Sequence, residues 1–125
     1  MARIFLTIAG ISGALSVGLG AFGAHALKDF LTKNDLSDTF ETAVRYQFYH
    51  TLALLGIALL MQHLDQKLLL WSGWAFVSGM TIFSGSLYLL VFTQVKWLGA
   101  ITPIGGVGLI LGWIFLALAA YKMVG

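Results

Sequence analysis

No charged side chain interrupts the chain between Arg3 and Lys28. A helix needs about 20 apolar residues to cross the hydrocarbon core of a bilayer, so residues 4–26 predict a membrane-crossing helix. Three further apolar runs follow, at about 38–63, 68–93 and 98–121. Arg3 ahead of the first run and Ala24-His25-Ala26 at its end resemble a signal peptide with its cleavage site. The run is longer than a signal core, however, and three spans follow it, so the reading as a span is kept.

Composition agrees. Hydrophobic residues make up 59% of the 125 and charged ones 10%, against about 25% charged in soluble domains. One domain fits this length, and nothing is left over for a separate soluble one. The net charge of +2 comes from scattered basic residues, which leaves no electrostatic footprint for a nucleic acid. The absence of cysteine removes disulfides, thiolate catalysis and Cys-ligated metal sites.

Four spans with short second and third connections predict an all-α, four-helix up-down transmembrane bundle with both termini on one side. Residues 27–37 form the one sizeable connection. Leu27, Phe30 and Leu31 at helical spacing predict a short, partly amphipathic segment on the membrane surface, and Asn34-Asp35 a break. Asp38 with Glu41 resembles a capping box opening the second helix. Trp71 and Trp74 read as an interfacial anchor, and Pro103 suits the first turn of the fourth span. Small residues mark helix contacts: Ser12, Ser16 and Gly20; Gly10, Ala14 and Gly18; Ser72, Gly79 and Ser86; Gly108 and Gly112. Orientation stays open, because the basic residues divide three against four between the two sides.

The polar residues inside the spans are the functional signal, since each is costly in lipid and calls for a partner or a purpose. In an up-down bundle they converge on one half. His25 ends the first span; Arg45, Tyr46, Gln47, Tyr49 and His50 open the second. Ser84, Ser86 and Tyr88 close the third, and Thr102, Gly105 and Gly106 open the fourth. Thr42, Tyr46, Tyr49, His50, Ala53 and Ile57 share one helical stripe. Two readings of Arg45 are open: a charge offered to a ligand, or a side chain snorkelling to water with Glu41 as its ion-pair partner one turn away. His50, roughly 8 Å deeper than Arg45, either holds helices together through Ser84, Ser86 or a carbonyl, or serves a ligand or proton.

Four blocks in order carry a family resemblance: GAFGAHAL at 20–27, TAVRYQFYHTLALL at 42–55, FSGSLYLL at 83–90 and ITPIGGVGLILGW at 101–113. The chain resembles the YgdD/YwdK-like small bacterial membrane proteins, a family of unknown function (domain of unknown function 423) with eukaryotic transmembrane relatives. The resemblance implies a four-span protein of the bacterial cytoplasmic membrane and no particular activity.

The candidate ligand-binding residues are therefore His25, Arg45, Tyr46, Gln47, His50, Ser84, Ser86, Tyr88 and Thr102. Gly20, Gly23, Glu41, Gly85, Pro103, Gly105, Gly106, Gly108 and Gly112 are assigned to packing. The favoured function is binding a lipid, a quinone-like or other hydrophobic molecule, or a partner membrane protein, around Arg45 and His50. A small oligomeric or proton-coupled carrier is the alternative, weakened because no Asp or Glu lies within a span beyond the first turns of the second, which are expected at or above the membrane surface. No cofactor is expected; a haem between His25 and His50 is the weaker alternative, with about 9 Å of depth between them. A metal site would need a third ligand beyond His25 and His50, and Glu41 is the only nearby acid. Ser84 with His50 has no acid at its depth to make a hydrolase pair, and Gly105-Gly106 lacks the strand and lysine of a phosphate loop. Tyr88 and Trp113 are read as packing or interfacial aromatics. The bilayer is the expected partner, with self-association permitted by the glycine seams.

Overall fold

The computed structural model describes residues 1–64 and 66–123, and Asp65 of the predicted 65–67 turn lies outside that set. Its elements are α1 (Ala2–Ala24), α2 (Lys28–Lys33), α3 (Ser37–Met61), α4 (Lys67–Thr93), a 3₁₀ turn (Lys96–Ala100) and α5 (Thr102–Tyr121). Every described element is helical, as the apolar runs predict. The four long helices have 23, 25, 27 and 20 residues, so the shortest spans about 30 Å, the thickness of a hydrocarbon core. Among the described residues, three stretches are both long and apolar enough to cross a membrane: α1, α4 and Lys96–Tyr121. The first half of α3 is polar, with Asp38, Glu41, Arg45, Gln47 and His50, and α3 is not one of the three.

Local chemistry sets the helix ends, and several differ from expectation. α1 stops at Ala24, because His25 leaves helical geometry (φ −121°, ψ −79°) and its N–H turns back to the Phe22 carbonyl. α2 forms where Leu27, Phe30 and Leu31 predicted a surface segment: Leu31 is buried, while Lys28, Asp29 and Lys33 are exposed. Asp35 takes a left-handed φ of 55° at the predicted break. No capping box forms at α3. Its cap is Leu36, with no side-chain cap hydrogen bond, and Glu41 reaches forward to Arg45 instead. The fourth run starts later than expected, because Gln94 is left-handed (φ 56°) and Lys96–Ala100 winds as 3₁₀. Pro103 then sits in the first turn of α5, where its missing N–H costs nothing.

α3 and α4 form the centre. α1 packs along α3 and reaches α4; α5 packs along α4 and reaches α3. The α1–α3 register is antiparallel: Gly13 faces Thr51, Gly20 faces Val44 and Gly23 faces the Phe40 ring. Phe5, Leu54, Ile57, Phe76 and Leu109 form the core where all four meet.

The closest approach is between α4 and α5. A Cβ on Gly79 would lie 2.6 Å from the Leu109 backbone nitrogen and 2.9 Å from the Gly108 carbonyl carbon, so only glycine lets these backbones touch. Gly105, Gly108 and Gly112 meet α4 from the other side, against Phe83, Gly79 and Phe76. The Ser72, Gly79, Ser86 seam faces the same contact, with Ser72 donating to the Gly112 carbonyl at 2.7 Å. Two packing assignments differ. A Cβ on Gly85 would meet nothing within 4 Å, and one on Gly106 would only graze the Phe83 ring, because both point away from the close contact.

Candidate functional site

The polar residues of α3 do not form one site. Within two turns of one helix Arg45, Gln47 and His50 point in different directions, and the neighbouring helices divide them into three groups.

His50 turns toward α5. It is 5% exposed, and the indole N–H of Trp113 donates to its Nε2 at 3.1 Å. Its Nδ1 lies 2.8 Å from the Tyr46 carbonyl oxygen. An indole can only donate and a carbonyl can only accept, so the two partners fix the tautomer: the ring is neutral, with its proton on Nδ1. Phe76 and Trp113 close around it with ring centroids 5.6 and 5.8 Å away, and Tyr46 stacks on Phe83 at 4.7 Å. Ser84 and Ser86, expected partners of His50, are engaged elsewhere. Ser84 donates to the Ala43 carbonyl at 2.7 Å, and Ser86 pairs with Thr102 and the Phe83 carbonyl. The carbonyl that His50 meets belongs to Tyr46 on its own helix, so the bond that joins it to another helix comes from Trp113 and from none of the partners expected.

Gln47 turns toward α1 and α4. Its Nε2 donates to the carbonyl and the hydroxyl of Ser12, each at 3.2 Å, and its Oε1 accepts from the Tyr88 hydroxyl at 2.6 Å. Thr51 donates back to the Gln47 carbonyl at 2.6 Å, leaving its oxygen to accept from Ser12 at 2.7 Å. The proton directions close a ring from the Gln47 amide through Ser12 and Thr51 to the Gln47 backbone. Every polar atom of the Gln47 side chain is paired, as a buried amide requires.

Arg45 turns outward. It is a single 3.4 Å contact from Glu41, with side-chain exposures of 62% and 58%. The Glu41 ion pair named in one of the two readings forms, and it leaves most of the guanidinium's five donors free. Arg45 lines a groove of about 520 Å³ between the end of α1, α2 and the start of α3, together with Lys28, Glu41, Leu31, Phe40 and Val44. Gly20 and Gly23 form its α1 wall.

His25 joins none of these groups; it is exposed at the end of α1. A haem between His25 and His50 would have to take Nε2 of His50 from Trp113. Among the described residues, no three of His, Asp and Glu come together as metal ligands. The expected stripe on α3 is only partly inward: Tyr46 and Tyr49 are 39% and 53% exposed, and the buried face follows Phe40, Ala43, Gln47, His50, Leu54 and Ile57. Three participants escaped the sequence reading. Thr51 lies four residues beyond Gln47, a spacing that could have revealed it, and Ser12 stood out only as a small residue. Nothing local to Trp113 marks it as the partner of His50.

An all-helical chain whose described residues include three helices apolar enough to cross a bilayer, with Gln47 and His50 paired to side chains of neighbouring helices, defines a small multi-pass membrane protein. Comparison with known proteins agrees. The chain belongs to the family described as "Protein of unknown function (DUF423)", which matches residues 19–106. It is 45% identical to a UPF0382 membrane protein of Staphylococcus aureus (strain bovine RF122 / ET3-1) over 98% of this chain and 99% of that one. It is 42% identical to the UPF0382 membrane protein YwdK of Bacillus subtilis (strain 168) over 96% and 98%. No solved structure matches the chain.

Proposed function

We propose that α1, α3, α4 and α5 all cross the bacterial cytoplasmic membrane, with both termini on one side, and that the protein binds an amphiphilic molecule in the groove beside the first connection. The register supports the fourth crossing. α3 lies antiparallel to α1 from Phe40 to Thr51, so a bilayer containing α1 also contains α3. The polar groups of α3 are then tolerable because Ser12, Tyr88 and Trp113 satisfy them.

One observation carries the binding reading: the groove sets two cations, Lys28 and Arg45, beside an apolar wall of Leu31, Phe40 and Val44. It stands where the uncharged run of α1 ends and the charged surface of α2 begins, the depth at which an amphiphile changes from tail to head. This moves the centre of the site from the expected Arg45–His50 pair to Arg45 and Lys28.

The test is native mass spectrometry of the purified chain from mixed-lipid micelles, with Thr32→Trp as a groove-filling variant. Thr32 lines the groove and is exposed, so the indole enters the groove without disturbing the core. Retention of an amphiphile by the parent chain and its loss in the variant is the expected result. Equal retention by both would remove the groove as the site.

A further inference from the structure

The groove does not stop at the level of the charges. Val44 and Arg45 are shared with a second depression of about 250 Å³, lined by Ser16, Val17, Phe48 and Tyr49. Val17 and Phe48 are shared in turn with a third, of about 370 Å³, lined by Gly10, Gly13, Ala14, Thr51, Leu52 and Leu55. The three lie end to end along the outward seam between α1 and α3. From Arg45 to Leu55 the furrow runs about 15 Å into the bilayer, and its walls are almost wholly apolar.

Glycine and alanine keep the seam open. Gly10 lines the third depression, and a Cβ there would meet nothing within 4 Å, so this glycine is not there to bring α1 against α3. Glycine is disfavoured in a helix relative to alanine, which calls for another use of the space.

We infer that the seam holds one phospholipid with a single net negative charge, its phosphodiester between Lys28 and Arg45 and an acyl chain along the furrow. This rests on the amphiphile-binding reading above and names its ligand class. Charge decides the head. The groove's charged lining is Lys28, Arg45 and Glu41, a balance of plus one, which one phosphodiester neutralises. Glu41 already faces Arg45, so a headgroup ammonium gains little there. Length decides the rest: a free phosphate uses the cations but leaves the furrow empty, whereas a phospholipid fills both.

The full-length protein is titrated in detergent with phosphatidylglycerol, phosphatidylethanolamine and diacylglycerol of matched chains, and retention is read by native mass spectrometry. Phosphatidylglycerol is expected to bind about tenfold more tightly than diacylglycerol, the worth of one charge-assisted hydrogen bond, and more tightly than phosphatidylethanolamine. The double variant Lys28→Gln, Arg45→Gln removes that preference. Gly10→Leu projects into the open furrow and weakens all three lipids; unchanged thermal unfolding confirms that it folds.

Other outcomes overturn the inference in distinguishable ways. If the three lipids bind equally, or phosphatidylethanolamine binds best, and Thr32→Trp still abolishes binding, the groove takes an amphiphile but does not select a phosphate monoanion. Displacement of phosphatidylglycerol by millimolar inorganic phosphate assigns the cations to the free ion. Lipid retention unaffected by Gly10→Leu removes the furrow as the chain's path. If no lipid is retained above the level of Thr32→Trp, the amphiphile reading falls as well.

Discussion

Trp113 on α5 and His50 on α3 are joined by an indole N–H donated to Nε2 at 3.1 Å, 63 residues apart in sequence. The bond makes His50 an acceptor at that atom and places its proton on Nδ1, toward the Tyr46 carbonyl. Nitrogen NMR of histidine-labelled protein in lipid should therefore show a neutral His50 with the proton on Nδ1. An Nε2-protonated ring would show that the contact with Trp113 is not a hydrogen bond.

Trp113→Phe keeps an aromatic ring but leaves Nε2 of His50 without a donor. Such a loss costs about 1–3 kcal/mol in proteins generally and averages about 0.6 between membrane helices. A drop in unfolding free energy within that range is expected in denaturant titration. Adding His50→Leu to Trp113→Phe should cost less than the two single changes summed, because no orphaned group remains. Strict additivity would argue against the bond.

Gln47 and Tyr88 offer a second coupling. Tyr88→Phe removes the donor to Oε1 of Gln47, and Gln47→Leu leaves the Tyr88 hydroxyl and the Ser12 carbonyl without that amide. A double-mutant cycle should give a coupling of about 0.5–1.7 kcal/mol. A coupling indistinguishable from zero would show that the Tyr88 hydroxyl does not donate to Gln47.

Two glycines of α4 should behave in opposite ways. Gly79→Ala drives a methyl group into the α5 backbone, 2.6 Å from the Leu109 nitrogen, and should destabilise by about 1–3 kcal/mol. Gly85→Ala meets open space and should be neutral, or stabilising by up to about 1 kcal/mol through helix propensity. Thermal unfolding of the pair in one detergent is the check, and equal effects would refute the α4–α5 register.

Glu41→Gln should change stability by less than about 0.5 kcal/mol, since the pair with Arg45 is exposed and held by one long contact. A larger loss in denaturant titration would mean that Glu41 has a structural role beyond that contact.

Because the chain has no cysteine, single-cysteine labelling reads its topology directly. With four crossings, cysteines at Thr32 and Gln94 react from one side of the membrane, and those at Gln62 and Lys122 from the other. Labelling of Thr32 and Gln62 from the same side would mean that α3 does not cross.

Residues 4–26 and the later apolar runs determined the all-helical membrane class and the approximate helix positions, because hydrophobic length is a property of consecutive residues. Asn34-Asp35 and Pro103 likewise announced a break and a helix start through their own backbone preferences. The helix ends at Ala24 and Thr102 were less legible, since they depend on turns that His25 and Gln94 adopt in context. Which way Arg45, Gln47 and His50 point could not be read from their spacing. One helix carries all three within two turns, and only the neighbours decide their fates: Ser12 and Tyr88 take Gln47, Trp113 takes His50, and the open side of α2 leaves Arg45 beside Lys28. Sequence fixes the cost of each polar group in lipid; tertiary packing decides which partner meets that cost, because the partners come from helices dozens of residues away.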